Sequence, residues 1–116
     1  ENDGKLTALF TLPERPTAII ASDDVLAVAL ERAARGLGLR IPEDLSVAAF
    51  NDSLLSRLAC PQLTSVNINA LQLGIEAASQ IINHIENPDL LATKIIVPHR
   101  IVERDSCCPP REKEAD

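Results

Sequence analysis

Twice in this chain a short apolar run ends directly on small polar and acidic residues. Residues 17–21 read Thr-Ala-Ile-Ile-Ala and lead into Ser22, Asp23 and Asp24. Residues 45–50 read Leu-Ser-Val-Ala-Ala-Phe and lead into Asn51, Asp52 and Ser53. A continuous apolar run of this length suits a strand covered on both faces. Side-chain oxygens just ahead of an apolar-periodic run are helix N-cap chemistry, and acids there favour the positive end of the helix dipole. A strand followed by a cap and a helix, and then repeated, predicts an α/β fold: a parallel sheet with flanking helices and right-handed crossovers.

The remaining segments extend this alternation. Residues 6–12 are weakly apolar and read as the end of a helix running to Pro13. The helix after Asp24 carries Leu26, Leu30, Ala33, Ala34 and Leu37, with Gly38 and Pro42 as stop signals. A short helical turn runs through Leu58 and is broken by Pro61. Residues 63–68 read as a third extended segment. Asn69 and Gln72 resemble a capping box, opening a long helix with Leu71, Ile75, Ala78, Ile82 and Ile85 on one face and an end at Asn87-Pro88. A last strand is expected over 94–97, resuming over 100–102. Residues 106–116 read as a disordered tail with two exposed thiols.

Bulk properties limit the function classes. A length of 116 residues allows one domain, and a 46% apolar fraction suits a packed one. The net charge of −6 argues against direct contact with DNA or an anionic membrane. Phe10 and Phe50 are the only aromatic residues, too few for a base-stacking platform. No run is long enough to span a bilayer, and no signal-peptide pattern opens the chain. Its start at Glu1 fits a segment of a longer protein. Cys60, Cys107 and Cys108 form no disulfide framework, and a zinc site would have only His99 nearby; no metal and no cofactor is expected.

The polar clusters mark the candidate site. In an open parallel sheet, ligands bind beyond the carboxyl ends of the strands. Asp23 and Asn51 stand there one residue earlier than Asp24 and Asp52. The first pair is therefore assigned to a ligand rim and the second pair to helix caps and turns. Carboxylate and amide groups on such a rim suit a polyhydroxyl ligand. The same residues are also ordinary caps, so position alone leaves both roles open. No catalytic constellation is visible. No His or Lys stands beside the paired acids in sequence, Ser22 and Ser53 read with them as capping oxygens, His84 and His99 read as structural, and no G-x-G-x-x-G loop occurs.

Several strings occur in order at the spacing of one family. RPTAIIASDD (residues 15–24), GLRIPEDLSV (38–47), FNDS (50–53), PQLTSV (61–66) and the helix carrying Leu73, Gly74, Ala77 and Ala78 resemble the LacI/GalR transcriptional repressors. Residues 50–53 and 66–68 are most similar to maltose-operon repressors. The resemblance spans residues 8–105. It implies part of a type I periplasmic-binding-protein-like sensor domain, with residues 1–66 and 94–105 in the C-terminal subdomain. Residues 67–93 would hold a crossover and a helix of the N-terminal subdomain. It implies a cytoplasmic, non-enzymatic homodimer that binds a sugar or sugar phosphate through Asp23 and Asn51. The family often has Asn at the first of these positions and Asp at the second, so this chain swaps them. Val28, Arg32, Leu58 and Ala59 would lie on the dimer face. Operator DNA would be bound only through a helix-turn-helix absent from this chain. A periplasmic sugar-binding protein of a transport system is the alternative on the same fold.

Overall fold

The structure, a computed structural model, describes residues 2–112. The elements run α1 (Asn2–Phe10), β1 (Ala18–Ile20), α2 (Asp24–Gly36), β2 (Ser46–Phe50), α3 (Leu54–Leu58), β3 (Thr64–Asn67), α4 (Ala70–Glu86) and β4 (Arg100–Val102). The four strands form one sheet in sequence order. β1 pairs β2 and β2 pairs β3 in parallel, with α2 and α3 as the crossovers. β4 lies antiparallel to β3, Asn67 opposite Arg100. The chain leaves the sheet after β3, travels out along α4 and comes back, so its last strand must run the other way.

Leu45, Val47, Ala49 and Leu63 from the sheet side pack with Ala27, Leu30 and Ala34 of α2 and Phe10 of α1. This is the alternation of a buried strand face with an i, i+3, i+7 helix stripe. The inward stripe of α2 is rotated from the one expected. Leu26 and Ala33 are half-buried, Leu37 is exposed, and Glu31 lies on the buried face. Its Oε1 has no hydrogen-bond partner among the described residues, and Arg35 stands 3.7 Å from Oε2.

Several expectations need correction. β1 is an edge strand with Ala18 and Ile20 exposed, so it is not covered on both faces in this chain. Residues 94–97 form no strand; only 100–102 pair, because that is where the returning chain meets β3. Asn69 does not cap α4 through its side chain and sits in the left-handed region at φ 52°. Its amide donates to the Pro98 carbonyl instead, and Gln72 donates to Glu76.

The tail is also more ordered than expected. Ser106 is fully buried, accepting from the Thr64 N–H and donating to the Val47 carbonyl, which stitches β2 to β3. The Cys108 N–H donates to Ser46 Oγ at 3.0 Å, and the Cys108 thiol is half-buried against the Pro42 carbonyl. Arg111 reaches Asp44 at 3.4 Å. Unpaired backbone donors at the strand ends recruit this segment; residues 113–116 lie outside the described residues.

α4 stands apart from the core. None of its residues is buried, and the molecule measures 68 × 30 × 26 Å. Leu71 and Ile85, expected together on one face, are 81% and 72% exposed. The segment after α4 lies alongside it, with Thr93 donating to Gln80.

Candidate functional site

Ile20 pairs with Ala48, so the two strands end side by side and the chain leaves the sheet at Asp23 and Asn51. Asp23 adopts an extended backbone, and its Oδ1 accepts from the Leu26 N–H at 2.8 Å. Asp23, not Asp24, is therefore the N-cap of α2. The cap geometry explains this: the residue still in extended conformation is the one whose side chain can turn back to the free N–H groups.

Asp24 instead closes a buried junction. Its Oδ2 accepts from the Ser53 N–H at 2.6 Å and its Oδ1 from Ser65 Oγ at 2.8 Å. At 2% exposure it is sealed from water, so both oxygens depend on these protein donors. One side chain thus joins the start of α2, the loop after β2, and β3.

The loop after β2 has an unusual backbone. Asn51 and Asp52 have φ of 100° and 48°, a region that L side chains seldom occupy. Three amides anchor it: Asn51 to the Val66 carbonyl at 2.9 Å, Asp52 to Ser65 Oγ at 3.0 Å, and Ser53 to Asp24. Ser53 is the N-cap of α3. Asp52 is the centre of a polar network. Its Oδ1 accepts from Ser56 Oγ at 3.0 Å and from Arg104 at 2.5 Å, and its Oδ2 from Asn67 Nδ2 at 3.0 Å. Burial pushes the Asp52 carboxyl up, but the bonds donated by Arg104, Asn67 and Ser56 outweigh it and hold it below its ordinary value. Asn51 is exposed at the rim, and its side-chain amide makes no hydrogen bond among the described residues.

Arg104, Asn67, Ser65 and Ser106 were not singled out from the sequence. Thr64 and Ser65 carried a legible signal, since two hydroxyls inside a strand that must be buried need partners. Arg104 carried none, because its partners lie 41–52 residues away.

The residues expected on a dimer face lie in α2 (Val28, Arg32), in α3 (Leu58) and just after it (Ala59). Arg32 and Leu58 are exposed, while Val28 and Ala59 are half-buried against the core. Val25, Leu54 and Leu58 are 66%, 64% and 69% exposed, leaving apolar surface on both helices. No group of three or more potential metal ligands occurs among the described residues. No helix among them is long and apolar enough to cross a membrane.

The family model of the periplasmic binding protein-like domain matches residues 2–107. The HTH-type transcriptional regulator MalR of Staphylococcus xylosus is 38% identical over 91 residues, covering 78% of this chain and 27% of that protein. A crystal structure of a transcriptional regulator LacI from Bacillus cereus subsp. cytotoxis superposes with a TM-score of 0.88 at 35% identity, over 95% of this chain and 39% of that one. A LacI family transcriptional regulator from Enterococcus faecium with bound ribose gives 0.82 at 27% identity, over 94% of this chain and 40% of that one. Against the curated relatives, the chain spans between 25% and 30% of their length.

Proposed function

The chain belongs to the periplasmic binding protein-like domain family, in the form carried by LacI-type regulators, and from that membership we propose that it is the effector-sensing and dimerisation region of a longer, sugar-responsive transcriptional repressor. The body built on β1–β4 is the C-terminal subdomain. Residues 67–93, with α4, belong to the other subdomain. The effector is a sugar or sugar phosphate, maltose-type by the resemblance of residues 50–53 and 66–68 to maltose-operon repressors. The intact protein works in the cytoplasm and reaches operator DNA through a helix-turn-helix outside this chain. The related regulators do not favour the transport reading.

One observation carries the effector assignment. Asn51 is held at the strand end in a left-handed conformation, exposed, with both polar ends of its amide free to pair with hydroxyls. Asp23 stands on the adjacent strand end and spends Oδ1 on its cap, leaving Oδ2 as an acceptor. The site works by binding rather than turnover. A sugar that closes the cleft favours one subdomain arrangement, and thereby one spacing of the DNA-binding heads.

The test is calorimetric titration of the intact protein with maltose, glucose and their phosphates, repeated on Asn51→Ala. We expect the variant to bind at least about tenfold more weakly, roughly 1.4 kcal/mol. Equal affinity in the two proteins would make Asn51 a plain turn residue.

The dimer face gives a second expectation. Leu58→Asp places a charge on the exposed apolar side of α3, one helical turn from Leu54. Sedimentation of the intact protein should show the dimer dissociating at concentrations about a hundredfold higher than for the wild type, roughly 2.7 kcal/mol. An unshifted equilibrium would move the interface elsewhere.

A further inference from the structure

Arg104 follows β4, the strand by which the chain returns to the sheet. Its guanidinium is almost buried, at 12% side-chain exposure. Nη2 binds Asp52 Oδ1, while Nη1 donates to the Leu63 carbonyl at 2.8 Å and to Ser56 Oγ at 3.0 Å. Its backbone N–H is fixed to Thr64 Oγ1 at 3.0 Å. One side chain therefore holds the loop after β2, the helix α3, and the start of β3. Asn67, the last residue of β3, grips the other Asp52 oxygen. Both residues lie where the chain enters or leaves the projecting α4 segment.

We propose that Arg104 is a positioning residue for the ligand rim. It clamps Asp52, keeps the loop bearing Asn51 in its left-handed shape, and ties that loop to the strands through which the subdomains connect. That Asn51 meets an effector rests on the function proposed above; that Arg104 shapes its loop does not. The role requires a fork. Arginine can serve the Asp52, Ser56 and Leu63 acceptors in one plane, whereas a lysine ammonium provides a compact charge without that geometry. A neutral side chain at 104 would strand the buried Asp52 charge.

The test compares the intact wild-type protein with Arg104→Lys and with the charge-balanced double variant Arg104→Met/Asp52→Asn. Amide hydrogen exchange is read at residues 51–53, whose three N–H groups are all bonded. The expected result is at least about tenfold faster exchange there in both variants, with residues 47–49 and 64–66 unchanged and the thermal midpoint within about 4 °C. Unchanged exchange at 51–53 overturns the proposal. Exchange that rises equally across loop and sheet also overturns it, since that is a general stability effect. In parallel, maltose, glucose and ribose are titrated by calorimetry, with Arg104→Lys expected to weaken any bound sugar about tenfold or more. A loosened loop with unchanged sugar affinity overturns the link between loop shape and binding. A wild type that binds none of these sugars counts against the effector reading, while the exchange data still decide the role of Arg104.

Discussion

Replacing Asp24 by alanine should lower the unfolding free energy by about 3–5 kcal/mol. The carboxyl is sealed from water and satisfies two donors from distant parts of the chain, the Ser53 N–H and the Ser65 hydroxyl. Alanine leaves both without an acceptor. A buried donor left unpaired costs about 1–3 kcal/mol, and the loss of an acid from the first turn of α2 adds about 0.3–1 kcal/mol. Ser65→Ala should cost less, because Asp24 keeps its bond to Ser53, although the Asp52 N–H then loses the Ser65 oxygen. Asp24→Asn should fall between the two: the amide keeps the volume but has a single acceptor oxygen for two donors. Urea unfolding of the intact protein measures all three. An Asp24→Ala variant within about 1 kcal/mol of wild type would show that water replaces the carboxylate and that the junction is not sealed.

The same junction shows what was legible in the chain before folding. The alternation of strands and helices could be read because its signals are local: apolar runs, oxygen-bearing caps, and proline and glycine stops. The ends of β1 and β2, and so the neighbouring places of Asp23 and Asn51, followed from them. The division of labour between Asp23 and Asp24 was not legible. Both are acids at a helix start, and one residue's rotation about the helix decides which caps and which is buried. Arg104 and Ser106 were out of reach for another reason. Their partners are 41–59 residues away, and nothing in a returning segment announces a contact with an earlier strand. The α4 face was read correctly as apolar, but periodicity cannot say what covers it. In this chain none of the residues of α4 is buried.

Glu31 should make the protein less stable as the pH rises. It occupies the buried stripe of α2 beside Ala27, Leu30 and Ala34, where helical periodicity calls for an apolar side chain. Burial raises its pKa from 4.5 to about 7, and Arg35 offsets this only in part. The sign follows from linkage. Below the unfolded value the acid is protonated in both states and contributes nothing. Between the two values the folded state binds more protons than the unfolded one, so stability falls with rising pH. Above the folded value the loss is complete and stays constant. Glu31→Gln keeps the shape and removes the titration. Its stability should match wild type near pH ~4 and exceed it at pH ~8 by about 1–3 kcal/mol, the gap opening between those limits. Denaturant unfolding across that range gives the curve. A difference that is flat with pH would mean that the carboxylate reaches solvent or a cation in the folded protein, and that α2 has no buried acid to relieve.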